Sequence, residues 1–168
     1  MTSAEVLVDA FGRVAEAVDE ALAGLTTEQL AFRIDGEANS IAWLVWHLTR
    51  IQDDHIAAVA GTEQVWTAAG WEKRFGLRLD PRDTGYGHSS EDVAAVVGDA
   101  ELLSGYHHDV LAATGRFLDT VTDGDLSTVV DTRFDPPVTL GVRLVSVIAD
   151  DLEHVGQAAY ARGIIERR

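Results

Sequence analysis

Apolar residues recur every three or four positions in four long stretches of the chain, a spacing typical of amphipathic helices. Gly24 and Gly61 directly follow two of these stretches, where glycine favours the end of a helix. Ser40 precedes the second stretch and is a candidate N-cap. The pattern therefore predicts four long helices, at residues 3–23, 40–60, 89–121 and 139–164.

The last two predicted helices differ in how well their composition suits a helix. Residues 89–121 are predicted as one continuous helix, although three glycines within it each weaken it by about 1 kcal/mol relative to alanine. The helix at residues 139–164 begins just after a Pro-Pro pair. Its predicted inward face consists of Leu144, Val145, Ile148, Leu152 and Val155.

A long connection, residues 61–88, separates the second and third helices. It is rich in aromatic residues, so we expect a short helix at about residues 63–75 that packs over one end of the bundle. Residues 127–134 alternate between apolar and polar positions, but the segment is too short to predict a sheet. The chain is therefore predicted to form a single all-α domain, residues 1–168, built as a four-helix bundle.

The charge balance narrows the classes of partner. The 168 residues include 13 basic and 28 acidic side chains, for a net charge of −15. Such a field repels phosphate backbones and anionic lipid surfaces, so neither a nucleic-acid nor a membrane partner is expected. The chain has no cysteine, which excludes disulfides, thiolate metal sites and cysteine nucleophiles. With no signal peptide and no apolar run long enough to cross a bilayer, a cytoplasmic location is expected.

Two predicted helices carry ionisable residues beside their apolar stripes. Asp150 and His154 are four residues apart, about 6 Å along a helix axis, so both can reach one ion. Asp151 is the competing carboxylate, and His47 on the second helix can supply a third ligand from across the bundle. Two imidazoles and one carboxylate leave coordination positions open, as catalytic metal sites do, and suit Zn, Ni, Fe, Co or Mn.

Simpler interpretations compete with each functional one. A lone histidine on an apolar face, such as His47 or His107, is commonly a hydrogen-bonded core residue. Asp54 and His55 are candidates for orienting ligands or contacting substrate, while His55 can instead stabilise the end of its helix. His88 lies in a glycine-rich turn, which has a structural interpretation as well as a substrate-binding one.

Four segments resemble the DinB-like superfamily, in particular its DUF664 branch: WHLTRIQDDH, DDLEHVGQAAYARG, the GYGHSS turn and DPPVTLGVRL. That superfamily includes the mycothiol-dependent maleylpyruvate isomerases and the bacillithiol- and mycothiol-linked S-transferases. The resemblance implies an up-down-down-up four-helix bundle and a divalent metal, often Zn or Ni, held by three side chains. Those side chains match His47, Asp150 and His154 of this sequence.

The resemblance also implies a function: the metal polarises a low-molecular-weight thiol, which then reacts as the thiolate with an electrophilic small molecule. The expected protein is a homodimeric, thiol-dependent S-transferase in which Asp54, His55 and His107 orient groups or transfer protons. Two alternatives stay open. One is a metal-dependent hydrolase on the same site, and the other is a non-enzymatic bundle that binds a small ligand and keeps these residues as a structural network.

Overall fold

A computed structural model describes residues 1–168 and shows a bundle of four long helices with short helices between them. In chain order the helices are α1 (Ser3–Leu22), α2 (Thr27–Ala31), α3 (Ile41–Ala60), α4 (Val65–Ala68), α5 (Trp71–Phe75), α6 (Ser90–Ala95), α7 (Ala100–Leu118) and α8 (Leu140–Ile165). In the bundle α1 and α3 each pack against both α7 and α8, so α1 lies diagonally opposite α3. No helix is long and apolar enough to cross a membrane.

The ends of α1, α3 and α8 agree with the predicted boundaries to within one residue. Ser40 caps α3 by accepting a hydrogen bond from the Trp43 amide at 3.1 Å. Gly61 ends the same helix in the left-handed region, with φ of 67°, which glycine adopts without strain. Thr139 caps α8 in the same way as Ser40 caps α3.

The prediction of one helix over residues 89–121 was wrong, because the chain leaves the helical path between α6 and α7. Val96 is extended, and the Asp99 side chain accepts a hydrogen bond from the Leu102 amide at 2.7 Å. That bond makes Asp99 the N-cap of a new helix. The expected helix at residues 63–75 is likewise two short helices, α4 and α5, separated at Gly70 with φ of 74°.

A small antiparallel ribbon precedes the last helix. It joins β1 (Val129–Asp131) to β2 (Val138–Thr139) and follows a 3₁₀ turn at Asp125–Ser127. The sequence did not predict this ribbon, because the alternating segment at residues 127–134 is too short to indicate a sheet and β2 has only two residues. The fold is nevertheless all-α, as predicted.

The central helix of the bundle is α3, which is buried along its whole first half. Every residue from Ile41 to Arg50 is buried, and Asp53 is buried one turn later. The segment of residues 61–88, called the cover segment here, packs across α3 and α7 and places Trp66, Trp71 and Phe75 against Tyr106. The cover segment thereby closes one side of the bundle.

Asp53 holds the cover segment in place. Its carboxylate accepts hydrogen bonds from the amides of Val65 and Trp66, both at 2.8 Å, and from the Tyr106 hydroxyl at 2.8 Å. The two amides are the first of α4, so a negative charge there also complements the helix dipole. Asp53 is therefore a structural residue that joins α3, α4 and α7.

Candidate metal centre

Three of the predicted side chains converge between α3 and α8. His47 comes from α3, and Asp150 and His154 come from adjacent turns of α8. One potential ligand atom from each residue lies within 4.8 Å of the other two. The convergence follows from the packing of α3 against α8 and from the four-residue spacing on α8.

Hydrogen bonds fix the orientation of both imidazoles. His47 Nδ1 donates to the Thr84 carbonyl, and His154 Nδ1 donates to the Asp150 carbonyl at 2.8 Å. A carbonyl oxygen can only accept, so Nδ1 carries the proton in each ring and Nε2 keeps a free lone pair. This arrangement is the one found in metal-binding histidines, whose other nitrogen donates to a fixed acceptor.

Burial favours the neutral form of His47, and an aromatic ring packs against its imidazole. The Trp43 ring stacks on its imidazole, with centroids 4.5 Å apart and an interplanar angle of 16°. Burial lowers the pKa of His47, and the nearby His154 adds to that effect, although the Thr84 carbonyl and Asp150 oppose it. A neutral imidazole is the protonation state that binds a metal.

Asp150 and its neighbour Asp151 have different environments. Asp150 is partly exposed and belongs to the cluster, and its buried Oδ2 atom has no hydrogen-bond partner. Asp151 is fully buried on the core face of α8, and neither of its carboxyl oxygens has a partner. Burial raises the pKa of Asp151 well above its ordinary value, and the charge of Asp150 adds to the shift. The geometry therefore favours Asp150 over Asp151 as the carboxylate of the cluster.

The donor set fits a divalent cation. Two imidazole nitrogens and one carboxylate oxygen are ligands that Zn, Ni and other first-row metals accept. The unpartnered Asp150 Oδ2 supports the fit, because a buried carboxylate oxygen needs either a hydrogen-bond donor or a cation.

His55 and Asp54 lie on α3 two turns beyond His47. The His55 ring is partly exposed, and its Nδ1 is 3.9 Å from Asp54 Oδ2. Burial lowers the pKa of His55, and the positive charge of Arg143 lowers it further, while Asp54 and Asp150 act in the opposite direction. His55 is thus electrostatically coupled to the cluster through Asp150. Asp54 accepts a hydrogen bond from Gln64 Nε2 at 2.7 Å.

His107 lies elsewhere in the bundle. It is fully buried on α7, and its Nδ1 is 3.1 Å from the Thr49 hydroxyl. Burial lowers the pKa of His107 to about 4, with smaller effects from His108 and Asp19, and no residue of the cluster acts on it. With no exposed atom and no link to the cluster, His107 has the environment of a core residue.

Five arginines, Arg50, Arg74, Arg78, Arg82 and Arg143, are candidates for binding an anionic group of a substrate. Of these, Arg143 acts on the pKa of His55, on which Asp150 of the cluster also acts. Arg50 is fully buried, Arg74 stacks on Trp71 and Arg82 is bound to Asp80. Arg143 forms an ion pair with Asp131 at 2.9 Å, and its positive charge lowers the pKa of His55. A cavity of about 600 Å³ lies between α3, α4 and α7 and is not lined by any residue of the cluster.

The sequence pointed to the GYGHSS turn and to His88 but not to the contacts that Thr84, Gly85 and His88 make with His47 and Trp43. Thr84 supplies a backbone carbonyl to His47, and Gly85 lies so close to the same imidazole that a Cβ atom there would overlap it. His88 Nδ1 accepts a hydrogen bond from Trp43 Nε1 at 3.1 Å. A backbone carbonyl has no sequence signature, and the only available signal was the pair of glycines around Tyr86.

The fold and the site together define a helical bundle with two histidines and one aspartate clustered between adjacent helices. The sequence profile of the DinB superfamily matches residues 10–158, and the chain belongs to that superfamily. A crystal structure of a conserved protein from Enterococcus faecalis is similar over 100% of this chain and 99% of that chain, with a TM-score of 0.93 and 32% identity. No curated protein matches the sequence. The predicted DinB-like superfamily and the predicted all-α bundle are confirmed, while the DUF664 branch stays a prediction.

Proposed function

We propose that the protein binds one divalent metal ion, Zn or Ni in preference to Fe, Co or Mn, through His47, Asp150 and His154 and that it is a homodimeric, thiol-dependent S-transferase. The observation that carries the metal site is the convergence of the three ligand atoms within 4.8 Å. Membership of the DinB superfamily supports the proposal. The chain has no cysteine, so a nucleophilic sulfur would come from a low-molecular-weight thiol such as mycothiol.

A divalent cation held by these residues would act as a Lewis acid that lowers the pKa of a bound thiol. The chain's own residues supply the remaining elements of the reaction. Trp43 covers one face of His47 and excludes water from it. Burial lowers the pKa of His55 and favours its neutral form, and Asp150 acts on the same group, so we assign His55 the role of accepting the proton that the thiol releases.

The transfer itself is a substitution at carbon. The thiolate sulfur forms a C–S bond with the electrophilic carbon, and the leaving group departs with the electron pair of its former bond. Arg143 is our candidate for holding an anionic group of the electrophile, because its charge, like that of Asp150, acts on the pKa of His55, although Arg143 also pairs with Asp131. Asp54 has a positioning role through its contact with His55. The environment of His107 supports a structural role only.

Metal content tests the site. Elemental analysis of the untagged protein is expected to give about one equivalent of metal, and the His47→Ala, Asp150→Asn and His154→Ala variants are expected to lose it while remaining folded by circular dichroism. His108→Ala and Asp151→Asn are the matched controls, since His108 is an exposed histidine paired with Asp19 and Asp151 faces the core. Loss of metal in Asp151→Asn but not in Asp150→Asn would place the carboxylate ligand one residue further along α8.

Activity tests the reaction. The metal-loaded protein is mixed with mycothiol, bacillithiol or glutathione and a fluorogenic alkylating electrophile, and the rate of thioether formation is compared with that of His47→Ala. Turnover that requires the thiol supports the transferase. Ester or amide hydrolysis without added thiol would instead identify a metal-dependent hydrolase. A metal-loaded protein that is inactive in both assays would contradict the enzymatic proposal.

A further inference from the structure

Three side chains on one face of α3 each donate a hydrogen bond to the same short segment of the chain. Arg50 Nε donates to the Asp83 carbonyl at 3.1 Å, and His47 Nδ1 donates to the Thr84 carbonyl. Trp43 Nε1 donates to His88 Nδ1 at 3.1 Å. The donors are spaced three and four residues apart, so they form one row along the helix. Residues 83–88 are therefore attached to α3 on both sides of His47.

Gly85 is the residue of this segment that touches His47. Its φ is 98°, a conformation that residues with a side chain rarely adopt. A Cβ atom there would overlap His47 Nδ1 and would lie 3.0 Å from the Trp43 ring. Both rings are buried and stacked on each other, so neither can move aside easily. Only glycine allows the Thr84 carbonyl to reach His47.

Arg50 is itself held rigidly. Its side chain is fully buried, with Nη1 2.8 Å from Gln64 Oε1 and 3.3 Å from the Tyr106 hydroxyl. Its guanidinium carbon lies 5.0 Å from the centre of the Trp66 ring. The folded cover segment therefore fixes the arginine that holds the Asp83 carbonyl.

We infer that residues 83–88 are a positioning clamp for His47, in which Gly85 and Arg50 keep the imidazole in the Nδ1–H form with Nε2 directed toward Asp150 and His154. The inference rests on the proposed metal site for its functional meaning, but the clamp is a property of the metal-free protein. Groups that orient a metal-binding histidine typically change metal affinity by about 10–100-fold when they are altered.

Gly85→Ala and Gly87→Ala form a matched pair that tests the clamp. Both glycines have a positive φ, 98° and 75°, so alanine strains the backbone at either position. A Cβ at Gly87 meets nothing within 4 Å, whereas a Cβ at Gly85 overlaps His47. Competition of each variant with a chelator for Zn or Ni is expected to show at least tenfold weaker binding for Gly85→Ala than for Gly87→Ala. Equal affinities for the two variants would overturn the clamp.

A second measurement is made on the metal-free wild-type protein and needs neither glycine variant. Imidazole ¹⁵N shifts of the metal-free wild-type protein, with His47 identified by the signal lost in His47→Ala, are expected to show a protonated Nδ1 and an unprotonated Nε2. The opposite tautomer, or rapid exchange between the two, would overturn the clamp even if Gly85→Ala failed to fold. If the wild-type protein bound no metal, the proposed function would fail while this measurement still decided the clamp.

Discussion

His107 is the buried ionisable residue whose environment gives the clearest pH dependence. Its pKa is about 4 in the folded protein, whereas a histidine in an unfolded chain has a pKa of about 6.5. Between these values the unfolded chain binds the proton and the folded one does not. The stabilisation from neutral His107 is therefore complete above pH 6.5 and is lost as the pH falls toward 4, by up to about 3 kcal/mol.

We expect His107→Gln to be less sensitive to acid than the wild-type protein. Urea unfolding of both metal-free proteins between pH 7 and pH 4 is expected to show that the wild-type free energy of unfolding falls more steeply over this range. The difference between the two free energies of unfolding gives the contribution of His107 alone. His47 and His55, whose pKa values are also lowered by burial, contribute equally to both proteins. His108→Gln is the control, because His108 is exposed; its removal slightly reduces the lowering of the His107 pKa, so only a small change in the pH profile is expected. Parallel pH profiles for the wild type and His107→Gln would contradict the prediction.

The sequence predicted the residues of the cluster better than it predicted what holds them in place. His47, Asp150 and His154 were found because a side chain of the right chemistry repeats at helical spacing beside an apolar stripe. The Thr84 carbonyl could not be found in this way, since every residue has a carbonyl and only the path of the chain brings this one to His47. The role of Asp53 was missed for a similar reason, because its partners are backbone amides.

At the scale of secondary-structure elements, α8 shows why a periodic pattern can be assigned to the wrong face. Of the positions predicted to face inward, Leu144 and Val155 are buried, but Val145 and Leu152 are 61% and 50% exposed. The core face instead follows Leu140, Leu144, Val147, Asp151, Val155 and Ala158. The helix has two apolar stripes, and the buried one contains Asp151. Because that charged residue interrupts the buried stripe, the hydrophobic periodicity alone favoured the other stripe as the core face.

The attachment of α4 to α3 gives a prediction at the same scale. Asp53→Asn removes the charge and turns one of the two accepting oxygens into a donor, so the amides of Val65 and Trp66 cannot both be satisfied. We expect the free energy of unfolding to fall by about 2–3 kcal/mol, because hydrogen bonds to a buried charged group are lost. Urea unfolding measures this change, and hydrogen exchange at the two amides shows where it arises.

Asp109→Asn is the matched control for Asp53→Asn. Asp109 also holds the cover segment, by accepting a hydrogen bond from Trp71 Nε1 at 2.9 Å, but it lies on the surface. A loss of less than about 1 kcal/mol is expected there, because water can replace the bond. Unchanged protection of the Val65 and Trp66 amides in Asp53→Asn would show that α4 is held by its aromatic contacts instead.

At the scale of the whole molecule, an exposed apolar stripe on α8 favours the association of two copies of the chain, whereas the net charge opposes it. The stripe has the spacing of a coiled-coil seam, with steps of three and four residues, and all of its members are apolar or small and exposed: Val142, Val145, Ala149, Leu152, Gly156 and Ala159. Its small residues allow close approach of a second helix. Two copies of a chain with a net charge of −15 repel each other, so screening by salt favours their association.

The proposed homodimer is therefore expected to form through α8 packed against α8 of a second copy, related by a two-fold axis that makes one stripe complementary to itself. Light scattering after gel filtration is expected to give twice the mass of one chain, with the dimer fraction rising from 20 mM to 300 mM NaCl. Leu152→Glu is expected to give monomers, because it buries an unpaired charge at the centre of the seam. Val97→Glu, at a valine that is 44% exposed but outside the stripe, is expected to leave the dimer intact. A dimer that persists in Leu152→Glu and weakens with salt would place the interface on another face, where charged groups pair.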